Sequence, residues 1–250
     1  MDFEYLQKLR NIELDLVMNT LPKNARILEI GSGAGWQAKK LASHGFNVQG
    51  IDVKGNDINY SYDSERIWEV TVYDGHTIPF ADKSFDVIYS SNVLEHIPHV
   101  EEFQKELIRV LKDDGVCVHI LPSTAWRFWS SITYYAVRIL NYIPLIKRHS
   151  AQVLPEHKSE RIWKLSKLLP DRHGERGDVF SELFLFSVVA WKRLFKRNRW
   201  TILYIKKNRL FYTGELLFGR GLSLKFRRIL SYVLGSTCNI FYLRKSAGKS

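Results

Sequence analysis

Two acids bracket a run of glycines near the start of this chain. Glu29-Ile30-Gly31-Ser32-Gly33-Ala34-Gly35 follows a short apolar run and precedes a stretch of helical composition. Glycines let the backbone turn tightly and let a ligand approach it closely. The first turn of the helix that follows offers N–H groups with no intrahelical partner. Asp52 comes about twenty residues later, where an acid at a strand end accepts hydrogen bonds from ribose hydroxyls in nucleotide-binding β-α-β units. The glycine spacing is one residue shorter than the dinucleotide form. Glu29 is a poor neighbour for a pyrophosphate and a good one for a ligand carrying positive charge, such as an amino group or a sulfonium. Two histidines, His96 and His173, have the near-neutral side chain that general-base work requires.

Alternating strands and helices must position these residues. Periodicity predicts a helix over 3–18, with Tyr5, Leu9, Ile12 and Leu16 on one face. Strands are predicted at 25–30, 47–53, 68–74, 84–90 and 115–121. Helices are predicted at 36–44, closed by Gly45, and at 99–112, stopped by Asp114-Gly115. This rhythm reads as α/β with a parallel sheet. After Pro122 it changes. A helix over 126–143 carries a polar stripe of Arg127, Ser131, Tyr134, Arg138 and Asn141 opposite an apolar face running from Trp129 to Ile143. Residues 147–180 read as loop or lid. A helix over 181–197 has Ser181 as its N-cap. A strand at 200–206, a helix at 221–234 and a strand at 238–245 complete the chain, with 209–214 as a lesser candidate for a hairpin with 200–206.

The chain has 250 residues, 45% hydrophobic and 25% charged, which suits a folded domain with a real core. Cys117 and Cys238 lie too far apart in number and spacing for a disulfide scaffold or a cysteine zinc motif. No secretory h-region and no 18-residue charge-free stretch are present, so a cytosolic protein with reduced thiols is expected. The net charge of +11 hides a split: residues 1–120 carry 12 Lys/Arg against 19 Asp/Glu, and residues 121–250 carry 25 against 7. A basic, aromatic-rich half suits nucleic acid, an anionic membrane surface or a phosphorylated substrate.

The stretches ILEIGSGAG, VQGIDV, YDGHTIPFADKSFDVIYSSNVLEHI and ELIRVLKDDGVCV, in that order over 26–121, resemble class I S-adenosylmethionine-dependent methyltransferases of the type 11, quinone-methylase-like kind. The resemblance implies a Rossmann-like seven-stranded sheet with helices on both faces and an inserted helical or loop segment after strand 5. It implies one domain over 1–250: a cofactor half (1–121), an inserted substrate or lid region (122–180), and C-terminal helices and last strands (181–250). It implies that Glu29, Gly31, Ser32 and Gly33 line the methionine part of S-adenosylmethionine, that Asp52 holds the ribose and Val53 lies against the adenine. Asp74 would meet the adenine amino group with Gly75 beside it, Ser91 and Asn92 would border the sulfonium, and Glu95 and His96 would open toward the acceptor pocket. One stretch departs from the family: KGNDINYSYDSERI (54–67) points to a short or missing helix on the adenine side.

Methyl transfer is an in-line displacement, and a hydroxyl acceptor needs a base to take its proton. His96 is the first candidate and His173 the second. No carboxylate cluster suggests metal assistance, and no metal is expected. The two aromatic, basic, amphipathic helices of the second half suit an anionic bilayer interface or simply pack on the sheet. The expected reaction is O-methylation of a small-molecule, saccharide, isoprenoid or other lipid-linked acceptor near the cytoplasmic membrane face. Nucleic-acid methylation is disfavoured, because Ser90-Ser91-Asn92-Val93 lacks the Asn/Asp-Pro-Pro-aromatic signature that stacks a flipped base. A non-catalytic membrane or partner adaptor on the same fold is the remaining alternative. Oligomeric state is open.

Overall fold

The computed structural model describes residues 3–54, 66–142, 170–213 and 221–247. The stretch expected to lack a helix after Asp52 and most of the expected lid lie outside the described residues. Five strands run parallel: β1 (Arg26–Ile30), β2 (Asn47–Val53), β3 (Val70–Tyr73), β4 (Phe85–Ser91) and β5 (Leu111–Pro122). Two more, β6 (Trp200–Lys207) and β7 (Cys238–Lys245), complete a seven-stranded sheet in the order β3-β2-β1-β4-β5-β7-β6. β7 is antiparallel to both of its neighbours, so the last hairpin-like return slots between β5 and β6.

The helices are α1 (Phe3–Met18), α2 (Trp36–Ser43), α3 (Val100–Val110), α4 (Thr124–Tyr142), α5 (Ser181–Leu185), α6 (Val188–Arg197) and α7 (Leu224–Val233). Successive side chains of a strand point to opposite faces, and the core divides accordingly. Leu28, Ile88 and Phe241 join Phe103 and Leu107 of α3 and Trp191 and Phe195 of α6. Ile27, Val87 and Ile240 join Leu9, Leu14 and Val17 of α1 and Leu41 of α2. Each fully buried aliphatic or aromatic side chain contributes about 1.5–3 kcal/mol. The expected architecture, a Rossmann-like sheet with helices on both faces, is the observed one.

Several expectations are corrected. Leu16 is exposed, and α1 instead buries Leu9, Glu13, Leu14 and Val17. Glu13 turns inward because it meets Arg10, Asn208 and Tyr212 there. α3 ends at Val110 rather than 112, because Leu111 is already extended and pairs with Phe85. The helix expected over 181–197 is two helices. Ser187 caps the second by accepting from Ala190 N at 3.1 Å, whereas Ser181 lies inside the first and its hydroxyl accepts from Asp178 N at 2.7 Å. Residues 209–213 form no hairpin with β6. Leu210, Phe211 and Tyr212 are buried, and the chain there bonds to Arg227 O and to Thr237 N instead.

The two amphipathic helices of the second half are turned the opposite way from a core-packing helix. α4 buries Arg127 and leaves Phe128, Ile132 and Ile139 exposed. α7 buries Arg227 and Ser231 and leaves Phe226, Ile229, Tyr232 and Val233 exposed.

Candidate active site

β1 lies between β2 and β4, and the strand order reverses direction there. In open α/β sheets ligands bind outside the carboxyl ends of the strands at that switch point. The glycine loop leaves β1 at this place. Gly31 N and Ser32 N both donate to Ile51 O, at 2.9 and 3.1 Å, which ties the loop to β2. Gly31 has φ +70° and a Cβ there would collide with Val93, so only glycine fits beneath the chain leaving β4. Gly33 has φ +55°, and a Cβ there would meet nothing within 4 Å. The loop therefore keeps open space at Gly33 while it is packed tight at Gly31.

Acids surround that space. Glu29 is buried at the end of β1, where it accepts from Ser32 Oγ at 2.6 Å. Burial raises its pKa to about 8, against the Ser32 hydrogen bond that lowers it. A buried acid beside a glycine cradle is a receptor for a cationic group, since cation binding would restore its charge. Asp52 accepts from Gly33 N at 2.6 Å and from Val53 N at 2.8 Å. Its carboxylate thus reaches from β2 across to the loop. Asp74 follows β3 as a turn former. It accepts from Thr77 N at 2.7 Å and His76 N at 2.8 Å, next to Gly75 with φ +83°. Those backbone donors hold its pKa below the usual carboxylate value. Val53, Gly75 and Asp74 lie together, since a Cβ on Gly75 would approach Val53 to 3.1 Å.

Ser91 ends β4, and Asn92 follows with φ +55° and its N–H bonded to Ile120 O at 2.8 Å. In the orientation that satisfies both ends of its amide, Asn92 accepts from Arg10 Nη1 at 2.6 Å. Arg10 also donates to Glu13 at 2.7 Å and to Tyr212 Oη at 3.2 Å. The first helix thereby delivers a guanidinium to the end of β4. The sequence reading missed Arg10 and Glu13. Their signal was an acid on the apolar face of a helix, three residues after an arginine.

The short turn Leu94–His96 carries the remaining chemistry. Glu95 is 1% exposed and neither carboxylate oxygen has a hydrogen-bond partner among the described residues. Burial raises its pKa to about 8, with Arg10 and Arg176 opposing. His96 Nε2 lies 3.9 Å and His173 Nε2 lies 4.0 Å from its Oε1. The two rings meet edge to face at 4.8 Å, and Trp126 packs on His173 at 4.4 Å. Both expected histidines are therefore brought together from stretches about eighty residues apart. Burial lowers the pKa of each, and His173 also faces His96, Arg127 and Arg10, which takes it to about 3. Both are neutral at pH 7. His96 keeps more basicity than His173, and proton transfer favours a base with pKa near the working pH. One carboxylate and two imidazoles within 4.8 Å of one another are also a donor set that a divalent metal accepts, in place of the carboxylate cluster the sequence lacked.

His173 is held by a strap. Glu182 of α5, fully buried, accepts from His173 N and Gly174 N, both at 2.7 Å. Arg127 of α4 pairs with Glu182 at 2.8 Å and donates to Asp171 O at 3.0 Å. Glu175 N donates to Glu95 O at 2.9 Å, so the strap closes on the Glu95 turn. Neither Arg127 nor Glu182 was singled out as a site residue.

A parallel sheet with a glycine cradle at its switch point, a strand-end acid on the next strand and a buried acid before the loop define a Rossmann-like domain for a nucleoside cofactor. Residues 28–119 match the family described as the type 11 methyltransferase domain. The chain is 33% identical over 105 residues to the 2-methyl-6-phytyl-1,4-hydroquinone methyltransferase of Synechocystis sp., covering 40% of this chain and 33% of that protein. It is 26% identical over 209 residues to the ubiquinone biosynthesis O-methyltransferase of Rickettsia typhi, covering 76% and 79%. The chain spans 33% to 42% of the length of the first curated relatives it matches. In fold it is similar to an S-adenosylmethionine-dependent methyltransferase of Mesorhizobium loti, with a TM-score of 0.54, 14% identity and coverage of 94% and 98%. Over residues 28–119 the chain is similar to the class I, type 11 methyltransferases, whose cofactor is S-adenosylmethionine. The residues present fit that cofactor: an open glycine cradle, a buried acid for a cationic group and a strand-end carboxylate that reaches the loop.

Proposed function

We propose that this chain methylates a hydroxyl of a small acceptor, a saccharide, an isoprenoid or another lipid-linked molecule, at the cytoplasmic face of a membrane. The observation that carries the reading is the meeting of His96, His173 and Glu95 at the end of β4, beside the glycine loop. In this reading Glu29, Gly31, Ser32 and Gly33 line the methionine part of the cofactor. Asp52 takes the ribose hydroxyls and Val53 the adenine face. Asp74 and Gly75 border the adenine edge, and Ser91 and Asn92 the sulfonium side. S-adenosylmethionine, when bound, supplies the activated methyl group.

The chain's own residues do the rest. The strap holds His173 against the Glu95 turn. The neutral His96 imidazole takes the acceptor's hydroxyl proton at a ring nitrogen. His173, with its depressed basicity, orients and packs more than it titrates. The printed names of the two relatives, a hydroquinone methyltransferase and a ubiquinone-biosynthesis O-methyltransferase, support a hydroxyl acceptor. No described helix is long and apolar enough to cross a membrane, so a membrane role is peripheral.

Labelled-methyl uptake from saccharide and lipid extracts tests the acceptor class. On the acceptor so found, His96→Ala should lower turnover about 10²–10⁴-fold and leave cofactor binding unchanged. Full turnover in that variant removes His96 from the role of base.

A further inference from the structure

Helix α4 touches the C-terminal end of α7, where Trp129 Nε1 donates to Leu234 O at 2.9 Å. α5 flanks α4 on another side, through Thr124 Oγ1 to Leu183 O at 2.9 Å. Each buries a charged residue: Arg127, Glu182 and Arg227. Arg127 meets Glu182, and Arg227 donates to Phe211 O and Leu222 O, both at 3.2 Å. Their apolar residues point out. Phe128, Ile132 and Ile139 share one face of α4 at i, i+4 and i+11. Ile229, Tyr232 and Val233 share one face of α7, at 62%, 70% and 83% exposure. Exposed apolar helix faces of this kind mark an interaction surface.

Charge selects the partner. In α4 to α7 the only acid is Glu182, and it is fully buried. The exposed ionised groups of α7 are both basic, Lys225 and Arg228. Such a face repels a second copy of itself and attracts an anionic surface with an apolar interior.

We propose that the α4–α7 face docks on an anionic lipid bilayer, with those six apolar side chains entering the headgroup–acyl boundary and Lys225 and Arg228 meeting lipid phosphates. This deepens the lipid-linked reading above. It also connects the two surfaces of one helix: α4 faces the bilayer with Ile132 and Ile139, and holds the His173 strap through Arg127.

The test is co-sedimentation of the full chain with vesicles that contain no methyl acceptor, so its outcome is independent of catalysis. One set is pure phosphatidylcholine and the other is equal parts phosphatidylcholine and phosphatidylglycerol. Binding to the anionic set alone, weakened by salt, is expected. The triple variant Ile229→Ser, Tyr232→Ser, Val233→Ser should bind about tenfold or more weakly, and Lys225→Glu with Arg228→Glu should lose the preference for anionic lipid. Retained calorimetric binding of S-adenosylmethionine shows that each variant is folded. Equal binding of the triple variant, or no binding by the unaltered chain, overturns the proposal. A dimer in sedimentation velocity that the triple variant abolishes, without vesicle binding, assigns the face to a second copy and also overturns it. Loss of methyl transfer to a water-soluble acceptor would bear on the methyltransferase reading and leave this one standing.

Discussion

Glu95 is a carboxyl group fully out of water with no hydrogen-bond partner among the described residues, and burial raises its pKa from 4.5 to about 8. At pH 7 it is a neutral acid, able to donate one hydrogen bond toward an acceptor oxygen. The sign of its linkage to stability follows from the direction. Between 4.5 and about 8 the unfolded chain ionises this group while the folded chain keeps it protonated. Its contribution to stability is therefore full below the unfolded value and is lost as pH rises through the folded one. Glu29 has the same sign for the same reason. Glu95→Gln preserves shape and removes one of the two ionisations. Thermal melts should show a shallower decline of Tm with rising pH between those values, with about 2–4 °C gained for each kcal/mol recovered at the upper end. An unchanged slope would mean that Glu95 is ionised in the folded protein. His96 gives a second signature. Its pKa is held below the usual 6.5 by burial, so turnover should fall only as pH drops through that lowered value. An acid limb above 6.5 would point to another base.

The strap around His173 works as a unit of elements rather than of single residues. α4 supplies Arg127, α5 supplies Glu182, and the segment between them in space carries His173 and Gly174. Removing one partner of a buried ion pair leaves the other uncompensated, at a cost of about 3–5 kcal/mol. Arg127→Met should shift the urea midpoint down accordingly, and Arg127→Met with Glu182→Gln should recover part of it, because the glutamine oxygen still accepts from the two N–H groups. Unaltered stability in the single variant would show that the pair is not a structural tie. The parallel half of the fold was legible because its signals are local: apolar runs of strand length, glycine at loop turns and a 3.6 period in α3. Leu16 and the break at Phe186 were not, because which face of α1 meets the sheet and where α5 ends depend on tertiary partners. The faces of α4 and α7 could be read as pattern but not as orientation. The burial of Arg127 and Arg227 is decided by Glu182 and by backbone carbonyls far along the chain. The histidine pair was named from residue type and Glu95 from the resemblance, while the remote Arg10 became visible only when the strands brought them together.

At the scale of the whole molecule, an acidic first half and a basic second half share one sheet, with β7 and β6 of the second half extending β5 of the first. The candidate site lies on the seam. Its glycine loop, Asp52 and Glu29 come from one half, and His173 with its strap from the other. Everything downstream depends on the cofactor occupying that loop. Calorimetric titration of the chain with S-adenosylmethionine and S-adenosylhomocysteine, with Gly33→Arg as control, measures this directly. Binding near the micromolar level, about −8 kcal/mol, should be seen with both ligands. It should vanish in the control, whose side chain strains a positive φ and fills the open space of the loop. No binding by the folded chain, or equal binding by the control, would contradict the account.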